Sequence, residues 1–170
     1  MSTSVLLSVS HYLTTSYRPD RDYVDGSLEE RNVGEWAHSR VQARLIAYLF
    51  ARESEFKFRV VPEQRVQVSE TRFRVPDVCV VLQSNPIEPV LRNPPFLCVE
   101  ILSKDDTVRQ LNERITDYFK MGVKFAWVLD PLLRSAYNYT PGQMREVLDG
   151  YLRTEHPDLA VTLDEVLRDD

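Results

Sequence analysis

Phe96-Leu97-Cys98-Val99-Glu100-Ile101-Leu102 is the stretch on which the reading of this chain turns. Six of its seven residues are apolar, as in a strand buried on both faces, and the seventh is a glutamate at its middle. A carboxylate seldom sits in such a place unless it is paired or holds a metal. A second anomaly of the same kind is Asp77, in Arg74-Val75-Pro76-Asp77-Val78-Cys79-Val80-Val81-Leu82. Pro76 has no N–H to give a sheet, so it marks an edge, a bulge or a strand start, and a bend there can aim Asp77 inward. If the two strands are neighbours, the two carboxylates converge. Such oxygen donors suit Mg²⁺, which keeps several waters and accepts phosphate oxygens. They equally suit a core pair satisfied by Arg or Lys, and the residues alone leave both readings open.

Working outward, residues 105–120 read as a helix with Leu111, Ile115, Tyr118 and Phe119 facing inward, and Gly122 stands where a left-handed helix end belongs. Residues 124–130 are another buried strand. Strand, helix and strand over 96–130 have the length of a crossover unit, which is right-handed by rule. Upstream, strand-like runs cover 57–61, 65–69 and 73–82, with a hairpin turn at Glu70-Thr71; residues 85–95 are a Pro-rich surface connection. A helix is expected from an N-cap at Asn32, with Glu35 at its third position, to about residue 54; its apolar stripe is Val41, Leu45, Tyr48 and Leu49, and His38 lies on that stripe. Residues 23–30 form two short strands around Gly26, and residues 8–15 a short helix broken by Arg18-Pro19-Asp20. Downstream, 135–140 and 144–148 form a hairpin at Pro141-Gly142, and Thr162 to Glu165 is a capping box opening a final short helix. This order predicts an α/β fold, a mixed central sheet flanked by helices.

With 170 residues the chain fits one domain over 1–170, large enough to bury roughly two-thirds of its unfolded surface. Its 43% apolar and 28% charged residues are those of a soluble globular protein. No window approaches the ~18 consecutive apolar residues of a membrane helix, and residues 1–10 lack the basic start of a signal peptide, so a cytoplasmic protein is expected. Cys79 and Cys98 read as reduced core thiols. The net charge of −5 (21 basic, 26 acidic residues) argues against a nucleic-acid coat protein but not against an enzyme that touches phosphates locally.

Pro76-Asp77, a spacer and Glu100-Ile101-Leu102-Ser103 resemble the signature of the PD-(D/E)XK, or restriction-endonuclease-like, superfamily. More narrowly they resemble the Uma-type family of predicted endonucleases. Tyr23-Val24-Asp25-Gly26 with Leu28-Glu29-Glu30, the helix bearing His38-Ser39, Pro95-Phe96, Tyr118 through Gly122-Val123, and Trp127 to Pro131 are similar to that family's pattern in order. The resemblance implies a restriction-endonuclease-like fold and a Mg²⁺-dependent DNA endonuclease, with Mn²⁺ able to substitute and a homodimer as its assembly. It implies Asp77, Glu100 and the carbonyl of Ile101 as metal ligands, joined by Glu30, with Glu29 as the fallback. The superfamily's lysine, two residues after the second carboxylate, is here Leu102. The family's shifted lysine, four residues before the helix tyrosine, is here Arg114. Arg114 can hold a phosphate or stabilise developing charge, but it is a poor general base. Lys104 is a substitute just past the strand. Loss of the lysine leaves open a degenerate member that binds without cutting. His38 is a candidate for substrate contact or water positioning, or a plain hydrogen-bonded helix histidine. Gln64 is a candidate lining residue of the same cleft, or an ordinary polar strand position.

Overall fold

The computed structural model describes residues 5–32 and 34–168. Its centre is a six-stranded mixed sheet. In chain order the sheet's strands are β3 (Phe58–Pro62), β6 (Val78–Leu82), β7 (Leu97–Ile101), β8 (Phe125–Asp130), β9 (Ser135–Thr140) and β10 (Gln143–Glu146). In space they run β10-β9-β8-β7-β6-β3. Only β7 and β8 are parallel, joined through helix α4 (Val108–Met121), which is the expected crossover unit.

Strand alternation sorts the core into two layers. Leu97, Val99 and Ile101 of β7, Val78 and Val80 of β6, and Trp127 and Leu129 of β8 face one way. There they pack with Val41, Leu45 and Leu49 of helix α2 (Trp36–Phe50). Cys98, Cys79, Val81, Ala126 and Val128 face the other way, against Leu111, Ile115 and Tyr118 of α4. Cys79 and Cys98 lie opposite each other in the β6–β7 register, both buried and both free. Glu100 shares the α4 face by its parity.

A second sheet, β2-β1-β5-β4, comprises β1 (Asp22–Val24), β2 (Ser27–Glu29), β4 (Val66–Ser69) and β5 (Arg72–Arg74). Asp25 and Gly26 turn β1 into β2 with φ of 48° and 94°, the left-handed region that glycine enters freely. Tyr12 of helix α1 (Val9–Thr14) packs on Tyr23 and Phe73 of this sheet. Helix α3 (Glu53–Phe56) precedes β3, and helix α5 (Leu163–Leu167) starts at Thr162, whose side chain accepts from the Glu165 N–H.

Four expectations are corrected. The run 73–82 is not one strand: at Val75-Pro76-Asp77 it leaves the small sheet and enters the large one, because proline cannot donate to a ladder. Helix α2 starts at Trp36, not after Asn32, and its N-cap Glu35 makes no side-chain cap bond; the segment before it carries Arg31 to Asp77 instead. It ends at Phe50, short of residue 54, and α3 follows. Helix α4 starts at Val108, where Thr107 and Gln110 form a full capping box. The pair β11 (Tyr151–Arg153) and β12 (Ala160–Thr162) was not anticipated. Among the described residues no helix is long and apolar enough to cross a membrane.

Candidate active site

Asp77 precedes β6, and Val78 pairs with Val99, so the register sets Asp77 beside Glu100 at the end of β7. Both carboxylates are buried. They line one polar cleft with Glu30, Arg31, Asn32, His38, Ile101, Ser103, Asp106, Gln110 and Arg114. Asp77 Oδ2 accepts the Ile101 N–H at 2.7 Å, which ties the bend before β6 to β7. Its Oδ1 accepts from Arg31 Nη2 at 2.6 Å and lies 3.3 Å from His38 Nε2. Gln42, one turn after His38 on α2, donates to the Asp77 carbonyl at 2.9 Å. Helix α2 therefore grips Asp77 at side chain and backbone.

Glu100 is held from α4. Tyr118 donates its hydroxyl to Oε1. Arg114 Nε lies 3.1 Å from Oε2, an ion pair whose angle falls short of a hydrogen bond. Arg114 also reaches Asp106 Oδ1 at 3.1 Å, and Asp106 Oδ2 accepts from the Ser103 N–H and hydroxyl at 2.9 and 3.1 Å. Arg114 and Tyr118, four apart on one helix, thus face one carboxylate.

These contacts set the charge states. Burial pushes the Glu100 carboxyl up to about 7; Arg114 works against this, and the charge of Asp77 adds to it. For Arg114 burial disfavours the charged form most strongly of any single cause, but Glu100, Tyr118, Asp22 and Asp106 together outweigh it and keep the guanidinium protonated. His38 follows the same pattern: burial opposes its charge, and Asp77 overrides burial and holds the imidazole above its ordinary range.

Two expected members are elsewhere, and a third reaches only the rim. Lys104 turns outward to Glu35 at 3.0 Å and is exposed, because it lies past the strand end. Gln64 donates to the Pro89 carbonyl at 2.7 Å and lines a separate hollow with Tyr17 and Arg65. Glu30 stands at the cleft rim, its side chain 77% exposed and paired with Arg21 at 3.1 Å. The fallback Glu29 binds Arg74 at 2.7 Å. Strand alternation separates the two glutamates, and neither carboxylate joins Asp77 and Glu100. Among the described residues no three His, Cys, Asp or Glu side chains are grouped to hold a metal.

The residues the sequence reading passed over are Arg31, Gln42 and Asp106. Gln42 carried a signal, its four-residue spacing from His38 on one helix face. Asp106 had a weaker one, three residues after Ser103. Arg31 had none, because its partner is 46 positions away.

Comparison with known proteins bears on the fold and the family. No curated protein matches the chain significantly. A crystal structure of a protein from Anabaena variabilis, described as "a putative nuclease", matches with a TM-score of 0.82 at 18% identity. The match covers 95% of this chain and 97% of that one, and at this identity it speaks for the fold. Residues 12–169 match the model of the Uma2 family, described as "Putative restriction endonuclease". With nearly its whole length inside that match and its α/β architecture shared with the Anabaena protein, the chain belongs to the Uma2 family.

Proposed function

We propose that this chain is a Mg²⁺-dependent endonuclease that hydrolyses DNA phosphodiester bonds, with Mn²⁺ able to replace Mg²⁺. One observation carries the reading: Asp77 and Glu100 meet, buried, in a polar cleft at the ends of two neighbouring strands. The donor set fits a hard cation. Two carboxylates and the Ile101 carbonyl are oxygen donors, and Mg²⁺ is commonly bound through one or two carboxylates with waters completing its shell. The raised Glu100 carboxyl also fits, since two buried like charges favour a proton or a cation between them. A bound divalent ion supplies Lewis acidity, activating water and offsetting charge on the phosphate.

The chain's own groups have separable tasks. Asp77 and Glu100 hold the ion. Tyr118 orients Glu100, while Gln42 and the Ile101 N–H fix Asp77. His38, 3.3 Å from Asp77 Oδ1, steadies that carboxylate. Arg114, braced by Asp106, offers a fixed positive charge to the phosphate as negative charge develops there. The arginine cannot take a proton from water, so proton removal falls to the solvent or the phosphate.

The test is cleavage of plasmid and single-stranded DNA with Mg²⁺ or Mn²⁺. Activity that persists in Asp77→Asn or Glu100→Gln would sink the proposal. A homodimer, implied by the resemblance, is checked by light scattering on the same protein. One feature favours a second reading, a nuclease fold that binds without cutting: each carboxylate already has an arginine beside it. DNA binding with neither cleavage nor Mn²⁺ uptake would select it.

A further inference from the structure

Asp77 is unusually well partnered for a ligand carboxylate. One oxygen is fixed by the Ile101 N–H at 2.7 Å, and the other receives Arg31 Nη2 at 2.6 Å with His38 Nε2 at 3.3 Å. The Arg31 side chain is largely buried, 13% exposed, so its charge is poorly screened by water. Glu100 and Asp22 also attract its charge, from beyond ion-pair distance. Nη1 lies 3.9 Å from Glu63, itself about half exposed, and its backbone belongs to the irregular segment between β2 and α2. Arg114, the second guanidinium of the cleft, stands on a 14-residue helix and is held by Asp106 as well as Glu100. Of the two arginines on the carboxylates, Arg31 is the less firmly braced.

We propose that Arg31 competes with the divalent cation for Asp77, so that metal loading displaces its guanidinium and Arg31 sets the metal concentration at which the site fills. A hard cation drawing on Asp77 Oδ1 and a guanidinium at contact distance from the same oxygen are like charges a few ångströms apart, and one must give way. Exchange of one cation for another keeps the carboxylate charge compensated throughout. This inference rests on the metal-site reading above.

The experiment is calorimetric titration of Mn²⁺ into the full chain and into Arg31→Gln, Arg31→Lys and Asp77→Asn, with thermal melts of each in chelator. Arg31→Gln binds Mn²⁺ about tenfold more tightly than wild type, equivalent to about 1.4 kcal/mol. The same variant melts lower in chelator, because the ion pair that steadied the metal-free cleft is gone. Arg31→Lys keeps the charge without the fork; it gives a smaller gain in affinity and serves alone if Arg31→Gln does not fold. A merely structural arginine would lower both stability and metal affinity, so the opposite signs are the signature. Wild-type uptake that is lost in Asp77→Asn but unchanged or weakened in the Arg31 variants overturns the competition and leaves the metal site standing. No Mn²⁺ uptake by any of the proteins overturns the metal site and this inference with it.

Discussion

Two clusters of arginine and carboxylate lie in this molecule, built from the same residue types with different ends. One is centred on Arg74, which is completely buried and reaches Asp22 at 3.0 Å, Glu29 at 2.7 Å and Asp117 at 2.8 Å. Arg72 adds a bond to Asp117 and another to Asp25. The second oxygen of Asp22 accepts the Val75 N–H at 2.9 Å. This cluster pins β5 to β1 and to helix α4, a joint between the small sheet and the main body. The other cluster is Asp77 and Glu100 with Arg31, Arg114 and His38, lining a polar cleft. In the first, each carboxylate is paired with Arg74 or Arg72; in the second, two carboxylates meet each other and cations stand around them. Buried charge is thus no guide to function by itself. The useful distinction is whether like charges are brought together where a ligand can reach them.

The comparison can be broken most forcefully at Arg74. Arg74→Met strands Asp22 and Asp117 without their shared partner, and breaking a buried pair in this way costs roughly 3–5 kcal/mol. Urea unfolding should show that loss, and a loss under about 1 kcal/mol would deny the cluster its structural role.

Glu100→Gln, a near-isosteric change in the open cluster, should separate activity from stability. Cleavage falls by more than roughly a hundredfold, beyond the effect of losing an outer partner of a metal ligand, while the metal-free protein unfolds at a urea concentration close to that of wild type; Asp77→Asn loses cleavage as deeply but also loses the Arg31 ion pair and unfolds at a lower one. Loss of folding in step with cleavage would merge the two clusters into one kind.

Arg114→Met sharpens the contrast through pH. Glu100 titrates near 7 in the fold against a usual value of 4.5, so the folded state holds a proton that the unfolded chain releases. Metal-free wild type therefore gains stability from this group as pH falls from about 7 toward 4.5. Without Arg114 the charged form of Glu100 is worse off still. The variant's deficit should be about 1–2 kcal/mol at low pH, where Glu100 is neutral and Tyr118 still partners it, and should grow as pH rises through 7. A deficit independent of pH would mean that Arg114 acts through packing alone.

The smallest effect belongs to Lys104→Ala. Lys104 faces water and Glu35, so neither cleavage nor melting temperature should change measurably. A drop in cleavage would return Lys104 to the site.

Much of the architecture could be read from local pattern. The crossover 96–130, the turn at Asp25-Gly26, the hairpin at Pro141-Gly142, the inward stripe of α4 and the helix end at Gly122 each follow from periodicity or from a glycine free to take a positive φ. Boundaries shifted where a long-range contact outweighed local preference. The N-cap pattern at Asn32 was overruled because Arg31 is drawn to Asp77, and the run 73–82 was cut because it serves two sheets. In the site, Asp77 and Glu100 were visible as charges in apolar strands, and Arg114 came from the resemblance, at the position of the family's lysine one turn before Tyr118. Lys104 and Gln64 were misplaced, and Glu30 reaches only the rim, because closeness in sequence does not say which way a side chain turns past a strand end or at a hairpin.

By itself, then, the amino-acid order determined that two carboxylates would be buried in strands, that a helix would carry an arginine and a tyrosine on one face, and that a mixed sheet would hold them. These properties depend on neighbours within a few residues, where alternation and helical spacing act. The tertiary structure alone decided which cations meet the buried carboxylates of this fold: Arg31 for Asp77 across 46 positions, and Arg74 for Asp22 across 52. Charge pairing acts through space, and only the folded chain says which of its arginines lies within 3 Å of a given oxygen.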